Sequence, residues 1–449
     1  MADHARSTAP AVQTQLDRLA ALSPGRDTLG LERITALCAR LGNPQDRLPP
    51  VFHVAGTNGK GSTCAFLRAM LEASGRTVHV FTSPHLVRFN ERIRLAGTLI
   101  SDDDLAATLA RVLDVADGLD ASFFEITTAA AFLRFSEVPA DACVIEVGLG
   151  GRLDATNIIA RPLVTGIASL GIDHKEFLLS PDADVALMPD LERIAFEKAG
   201  IAKPGVPLVR YPYPPDLNDR IRHWAESAGA SFETFELDDV SRSFLPYPSP
   251  GTIYQDKLGQ VVFSPPRLTG DHQIGNAALA IGMIRHQSRL HVPIAAIHTG
   301  LATARWPARL QRLRDGPLTR RVAGRVTYLD GGHNPDAGRA IGSFLASYSA
   351  VDVVIGMLAN KDVAGFLAPM LPSIKRLRAV PVPGHAHHAP QDLCALARDQ
   401  LGIADAQSMP DLPAALDSLQ KPDRPSITLI CGSLYLAGEA LRLNNEPPD

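Results

Sequence analysis

Short apolar runs alternate with segments of helical periodicity along most of this chain, and the alternation sets the elements it predicts. After a loose tail up to about residue 12, apolar positions recur at helical spacing over residues 12–22 and 31–41. Val51-Phe52-His53-Val54-Ala55 is short and apolar, as a buried strand requires, and Thr63-Cys64-Ala65-Phe66-Leu67-Arg68-Ala69-Met70-Leu71 reads as a helix. Thr77-Val78-His79-Val80-Phe81 predicts a second strand ending at Ser83. Ser101-Asp102-Asp103-Asp104 offers an N-cap and an acidic first turn to the helix behind it. Residues 124–135 predict a helix, and Ala142-Cys143-Val144-Ile145-Glu146-Val147 and Leu163-Val164-Thr165-Gly166-Ile167-Ala168 predict buried strands.

Strands alternating with helices imply an α/β fold with a parallel sheet covered on both faces. Chemistry then gathers at the carboxyl ends of the strands, where Ser83, Glu146 and His174 fall. The pattern pauses at Arg305-Trp306-Pro307. A second series follows, with candidate strands at 326–330, 351–356 and 426–431, so the predicted domains are 1–305 and 306–449. Residues 243–263, with a Pro-Gly turn and alternating positions, predict a hairpin, and Tyr211 to Pro215 a loop within the first domain.

Composition narrows the class of protein. A chain of 449 residues, 45% hydrophobic and 20% charged, fits a globular protein of two or three domains with a full core. A net charge of −4 gives no footprint for nucleic acid, and Arg320-Arg321 is too short to make one. The five cysteines are widely spaced and lack a Cys-x-x-Cys, which predicts buried thiols in a reducing compartment. Neither a hydrophobic signal core nor an apolar run of membrane-spanning length is present. The expectation is a cytoplasmic enzyme that binds no membrane.

The sharpest chemical signal is Gly56-Thr57-Asn58-Gly59-Lys60-Gly61-Ser62, set between a strand and a helix. Glycines let backbone N–H groups close on phosphate oxygens, a lysine neutralises the terminal phosphates, and a hydroxyl can reach magnesium. Glu146 closes an apolar strand and is followed by Gly148-Leu149-Gly150-Gly151-Arg152-Leu153-Asp154-Ala155-Thr156-Asn157. A carboxylate there is costly to bury unless it meets a cation, and magnesium takes oxygen ligands. His174 follows another strand and can complete the shell of a second ion. By itself, Lys198 reads as a solvated lysine at a helix end that favours the dipole. Phe123-Phe124-Glu125 can be core and cap alone, and Asp330-Gly331-Gly332-His333 either a ligand turn or a plain Asp-Gly turn. His385, His387 and His388 lie among Pro383, Gly384 and Pro390, which marks an exposed loop more than a metal site.

Taken together these motifs resemble the folylpolyglutamate synthase and dihydrofolate synthase family, the folate branch of the Mur ligase superfamily. The resemblance rests on the phosphate turn at 56–62 and on Ser-Pro-His-Leu at 83–86. It continues with Asn-Glu-Arg-Ile at 90–93, Phe-Phe-Glu at 123–125, Glu-Val-Gly-Leu-Gly-Gly-Arg-Leu-Asp-Ala-Thr-Asn at 146–157 and Asp-His at 173–174. Glu-Lys-Ala-Gly-Ile at 197–201, His272-Gln273 with Asn276, Pro307-Ala308-Arg309, the 330–335 turn and Gly432-Ser433-Leu434-Tyr435 complete it, in the family's order from about residue 28 to 440.

The resemblance implies a P-loop ATPase domain with a central parallel sheet, plus a smaller Rossmann-like C-terminal domain. The implied reaction is ATP-dependent ligation of L-glutamate to a pterin-linked carboxylate, through an acyl phosphate. Thr57, Asn58, Gly59, Lys60, Gly61 and Ser62 would hold the phosphates of ATP, with Asn276, Arg309 and Asp330 on the nucleotide. Ser83 and Glu146 would hold one Mg2+ and His174 a second. Lys60, His174 and Lys198 would serve catalysis, with Lys198 carbamylated and so turned from a cation into a metal-facing carboxylate. Ser122, Phe123, Phe124, Glu125, Leu153, Asp154 and Ala155 resemble the dihydropteroate-binding segments of bifunctional bacterial members, and His333 and Ser433 lie where the family receives glutamate. The expected substrates are therefore 7,8-dihydropteroate, tetrahydrofolates and L-glutamate, acted on by a monomer.

A synthase that only adds glutamates to folates is the nearest alternative. A cell-wall Mur ligase is disfavoured for want of an extra N-terminal domain. A nucleotide-binding switch would not need Asp330, His333 and Ser433. Three departures stand out: Pro307-Ala308-Arg309 for Pro-Gly-Arg, Asp330-Gly331-Gly332-His333 for Asp-Gly-Ala-His, and extra residues at 179–190.

Overall fold

The computed structural model describes residues 5–22, 29–173, 175–179, 187–239, 251–419 and 426–449. The chain divides into two compact units. One gathers the described residues of 1–84, 88–267 and 273–305, and the other those of 85–87, 268–272 and 306–449.

In the first unit the strands are Val51–Ala55 (β1), Val78–Phe81 (β2), Ile93–Leu95 (β3), Thr98–Leu99 (β4), Ala142–Glu146 (β5), Val164–Ile167 (β6), Pro207–Arg210 (β7) and Ser231–Glu233 (β8). They form one sheet in the order β4-β3-β2-β5-β1-β6-β7-β8. Pairing is parallel from β2 through β8, while β3 and β4 add an antiparallel edge. Strand β1 is central and buried along its whole length, so the turn after it opens from the middle of the sheet.

Both faces of this sheet are covered, as a parallel sheet requires. On one face Val51, Cys143 and Ile145 pack with Ile126, Phe132, Leu105 and Leu16. On the other, the helix His272–His286 lies so close to β6 that a Cβ on Gly166 would meet Met283 Sδ at 2.3 Å. The helix Ile294–Thr303 is equally tight on the helix Lys60–Ala73, where a Cβ on Gly300 would stand 2.6 Å from the Met70 backbone. The expected cap at Ser101 is present, accepting from Asp104 N at 3.2 Å.

A separate antiparallel sheet joins Glu236–Asp239 (β9), Thr252–Asp256 (β10) and Gly259–Phe263 (β11). The expected hairpin is thus β10 and β11, turning at Lys257-Leu258, with β9 as an unforeseen third strand. Residues 240–250, including Pro250 of the Pro-Gly turn expected there, fall outside the described residues.

The second unit holds Gln311–Arg312 (β12), Arg325–Leu329 (β13), Val351–Ile355 (β14), Ile374–Ala379 (β15), Ala406–Ser408 (β16) and Ser426–Cys431 (β17) in the order β12-β13-β17-β14-β15-β16. Only β12 runs antiparallel to its neighbour. Leu86 and Val87 belong here because they pack on its core beside Leu436 and Ala437. Buried Asp352 is held by Arg376 at 2.7 Å and by Arg325, so its charge is compensated inside the sheet. All five cysteines are buried free thiols, as expected. Among the described residues no helix is long and apolar enough to cross a membrane.

Candidate active site

The phosphate turn is built on close approaches that only glycine allows. Gly56 sits at φ 147°, and a Cβ there would stand 2.8 Å from Ala168 Cβ. Gly59 sits at φ 84°, and a Cβ there would meet Asn276 Oδ1 at 2.2 Å. The Asn276 carboxamide, which donates to Gln273 Oε1 at 3.1 Å, therefore lies directly on the turn. Thr57 N donates to Ser169 O at 2.8 Å, and Thr57 Oγ1 donates to Gly171 O at 3.0 Å. The helix starts at Lys60, with Gly61 and buried Ser62 in its first turn, where N–H groups lack partners within the helix. Thr57, Asn58, Gly59, Lys60, Gly61, Ser62 and Asn276 are thus brought together at one helix N-terminus, a geometry suited to an anion.

Two lysines meet there. Lys60 Nζ donates to Gly56 O at 3.1 Å, and Lys198 Nζ donates to the same oxygen at 3.0 Å. Lys198 ends the helix Asp190–Ala199 yet is only 4% exposed, so the solvated helix-end reading is overturned. The helix is packed with its last turn against the glycine block instead of water. Burial, and after it the charge of Lys60, brings the Lys198 ammonium down from 10.5 to about 7, against the pull of Asp173, Asp154 and Glu197.

Ser83 follows β2 and Glu146 ends β5, which lie side by side, and Ser83 N donates to Glu146 Oε2 at 3.2 Å. A buried carboxylate and a hydroxyl form an all-oxygen donor pair, the chemistry a hard cation such as Mg2+ prefers. His174 lies outside the described residues, as do residues 180–186 of the expected insertion. Among the described residues no group of three or more His, Cys, Asp or Glu could hold a metal.

The glycine block after Glu146 packs on the end of the lysine-bearing helix. A Cβ on Gly151 would stand 2.6 Å from Glu197 O and 3.0 Å from Lys198 Cα. Arg152 N donates to Glu197 O at 2.7 Å, and the Arg152 guanidinium pairs with the Glu197 carboxylate at 2.8 Å. Asn157 Nδ2 bridges Arg152 O and Gly200 O at 2.9 and 3.0 Å. Asp154 is buried with both oxygens engaged, accepting from Leu149 N at 2.8 Å and from Thr156 Oγ1 at 2.5 Å. It braces its own loop between half-buried Leu153 and buried Ala155.

Around the other expected substrate positions the structure shows bracing contacts. Ser122 and Glu125 form a capping box on the helix Phe123–Glu137, and Arg33 Nε donates to Glu125 Oε2 at 3.1 Å. Phe123 is buried edge-on to Phe89, with the Arg92 guanidinium 5.5 Å from its ring centre. Phe124 is half-buried and lies over the glycine turn, since a Cβ on Gly148 would meet its ring at 2.4 Å. Arg33 and His53 were not singled out from the sequence, and Arg92 only as part of the 90–93 motif; one-dimensional spacing carries no sign of their partners.

In the second unit Asp330 is buried and accepts from Leu310 N at 2.8 Å and Gly332 N at 2.6 Å. Arg309 lies beside it, as a Cβ on Gly331 would stand 3.0 Å from Arg309 Nη1. Ala308 has φ 55°, left-handed backbone that explains the glycine the family usually carries at this place. Gly432 N donates to Gly332 O at 3.1 Å, which joins the His333 turn to the Ser433 turn. His333 Nδ1 donates to Gly331 O at 2.9 Å, and buried Ser433 caps the last helix by accepting from Tyr435 N at 3.1 Å. His272 lies within electrostatic reach of Asp330 and Arg309, and burial lowers its imidazole. The His385 ring stacks on Tyr435 at 3.6 Å between centres, while His387 and His388 each engage a backbone carbonyl, and among the described residues this loop forms no group of three or more metal-ligating side chains.

The chain is similar to known proteins along most of its length. A family model described as the dihydrofolate synthetase C-terminal domain matches residues 322–443. A dihydrofolate synthase/folylpolyglutamate synthase of Bacillus subtilis is 35% identical, covering 91% of this chain and 94% of the relative. The solved structure of E. coli FolC in complex with DHPP and ADP superposes with a TM-score of 0.83 at 29% identity, covering 98% of this chain and 99% of that one. A bifunctional folylpolyglutamate synthase/dihydrofolate synthase with Mn, AMPPNP and L-glutamate bound gives a TM-score of 0.80 at 30% identity, over 95% and 97% of the two chains.

Proposed function

Because this chain belongs to the dihydrofolate synthase/folylpolyglutamate synthase family, we propose that it joins L-glutamate both to 7,8-dihydropteroate and to tetrahydrofolates. It is an ATP-dependent ligase of the Mur-ligase-like fold. The observation that carries the reading is the phosphate turn with Lys60, Lys198 and Asn276 upon it, next to the Ser83–Glu146 pair at the end of the adjoining strand β5 in the first unit. We assign residues 1–305 to ATP binding and 306–449 to glutamate ligation.

In this reading the N–H groups of residues 57–62 and the Lys60 ammonium hold the β- and γ-phosphates. An acceptor carboxylate oxygen attacks the γ-phosphorus, ADP leaves, and an acyl phosphate results. The glutamate amine then adds to the acyl carbon, phosphate leaves with the C–O electron pair, and the amine loses a proton as the amide forms. Two divalent cations, when bound at Ser83–Glu146 and near His174, would supply Lewis-acid neutralisation of the phosphate oxygens. A nucleotide-bound and Mn-bound relative supports the metal and nucleotide assignments.

Lys198 is carbamylated in this account. Carbon dioxide adds only to a neutral amine, and burial beside Lys60 brings Lys198 to about 7, where much of it is neutral. Loss of the cation also ends the repulsion on Gly56 O. Phe124 over the Gly148 turn, with Phe123, Leu153, Asp154 and Ala155, would frame the pterin, while Ser122 and Glu125 hold Phe123 and Phe124 by their cap. Arg309 and Asp330 are assigned to nucleotide, and His333 and Ser433, drawn together by the Gly432–Gly332 bond, to the glutamate carboxylates. We place the enzyme in the cytoplasm as a monomer, a setting that suits five unpaired thiols.

The test is mass analysis of products after incubation with ATP, Mg2+, L-glutamate and each pterin substrate in turn. The reading expects a product one glutamyl residue heavier from both. A heavier product from tetrahydrofolate alone would reduce the enzyme to a polyglutamate synthase.

A further inference from the structure

The strand that feeds the phosphate turn carries a histidine at its centre. His53 has no exposed surface, and neither do its neighbours Phe52 and Val54. Side chains alternate along a strand, and the register sets Val51 beside Cys143 and His53 beside Ile145. His53 therefore faces the apolar layer that contains Val51, Cys143, Ile145 and Ala155. An imidazole in such a layer is costly unless it finds a polar partner.

That partner is Thr156. His53 Nε2 lies 2.8 Å from Thr156 Oγ1, and Thr156 Oγ1 lies 2.5 Å from Asp154 Oδ1. Asp154 Oδ1 also accepts from Thr156 N at 3.0 Å, and its Oδ2 accepts from Leu149 N at 2.8 Å. Burial pushes the Asp154 carboxyl up, while its hydrogen bonds from Leu149 N, Thr156 Oγ1 and Thr156 N favour the charged form. With both oxygens turned to these donors the carboxylate accepts, and a threonine hydroxyl has one hydrogen to give. The Thr156 hydrogen therefore goes to Asp154, and the hydroxyl oxygen must accept from His53 Nε2–H. His53 Nδ1 is buried with no hydrogen-bond partner, which suits a bare nitrogen and not an N–H.

We propose that His53, as its Nε2–H tautomer, is a positioning residue: it anchors a chain through Thr156 and Asp154 to Leu149 N that fixes the glycine turn after Glu146 relative to the phosphate turn after β1. The chain runs from the centre of β1 to the loop that follows the adjacent parallel strand β5. It also sets the direction of Asp154 between Leu153 and Ala155, and here the inference rests on the assignment of these residues to the pterin. A loosened chain would then misplace the pterin acceptor while the phosphate turn, held separately through Ser169 and Gly171, keeps its grip on ATP.

The test combines a tautomer measurement with kinetics on the full chain. In 15N-histidine spectra, the signal lost in His53→Phe should be an Nε2–H tautomer, and Thr156→Val should shift it. His53→Phe and Thr156→Val should each raise KM for 7,8-dihydropteroate by about tenfold, with KM for ATP unchanged. The double variant should be no worse than either alone, and His53→Gln, which keeps a donor, should recover part of the loss. An Nδ1–H tautomer would overturn the chain itself, whatever the enzyme's substrate proves to be. Equal rises in both KM values with no recovery by His53→Gln would reduce His53 to a packing residue. If no pterin is turned over, the tautomer and the Thr156→Val shift alone decide whether the chain exists.

Discussion

Lys60 and Lys198 place their ammonium nitrogens on one carbonyl oxygen, that of Gly56, at 3.1 and 3.0 Å. Two like charges on one acceptor, one of them buried, cannot both be comfortable. Lys198 gives way, because it is the buried member. Unfolded, it would hold its proton up to about 10.5, and folded it releases it around 7. Between those values the unfolded chain binds more protons, so this group makes stability rise with pH across that window. Lys198→Met should flatten the rise, read from denaturant unfolding at a series of pH values. An unchanged slope would mean that Lys198 is charged in the folded protein.

The neutral amine has a chemical consequence. Protein equilibrated with 13C-bicarbonate should show one carbamate resonance, absent from Lys198→Gln and weakened by removal of carbon dioxide. Activity should fall with the resonance. A full-strength enzyme without any carbamate signal would remove that modification from the account.

Gly151 tests the packing that buries Lys198. A Cβ there would press on Glu197 O at 2.6 Å, and this neighbour is backbone that cannot swing aside. Gly151→Ala should cost about 1–3 kcal/mol of stability through overpacking. It should also lower kcat by displacing the end of the Asp190–Ala199 helix. Wild-type melting and turnover together would show that the loop yields freely.

These cases show what was legible in the sequence. The strand, turn and helix around Lys60 were readable because local spacing alone specifies them, and β1 and β17 fall where their apolar runs placed them. The burial of Lys198 was not, because helix-end lysines are ordinarily solvated and the glycine block that covers it lies about forty residues earlier in the chain. β8 and β16, of three residues each, are too short to show a period. Glu125 looked like a cap and is one, but its bond from Arg33 is a tertiary fact with no local trace. The glycine expected by family habit at Ala308 could be explained only once its φ of 55° was seen.

Ser433 separates a structural duty from a chemical one. Its hydroxyl caps the helix Leu434–Leu443, so Ser433→Ala should cost about 1 kcal/mol of stability from the lost cap. If the hydroxyl also donates to a glutamate carboxylate, KM for glutamate should rise by about tenfold or more. Loss of stability with unchanged glutamate kinetics would leave Ser433 as a cap alone.

The central claim is glutamate-dependent use of ATP on two acceptors. The most direct measurement is phosphate release from ATP and Mg2+ with L-glutamate, offering 7,8-dihydropteroate and tetrahydrofolate separately, with Lys60→Ala as the control. The account predicts release with both acceptors, none without glutamate, and none from Lys60→Ala. Glutamate-independent release, or no release with either acceptor, would contradict it.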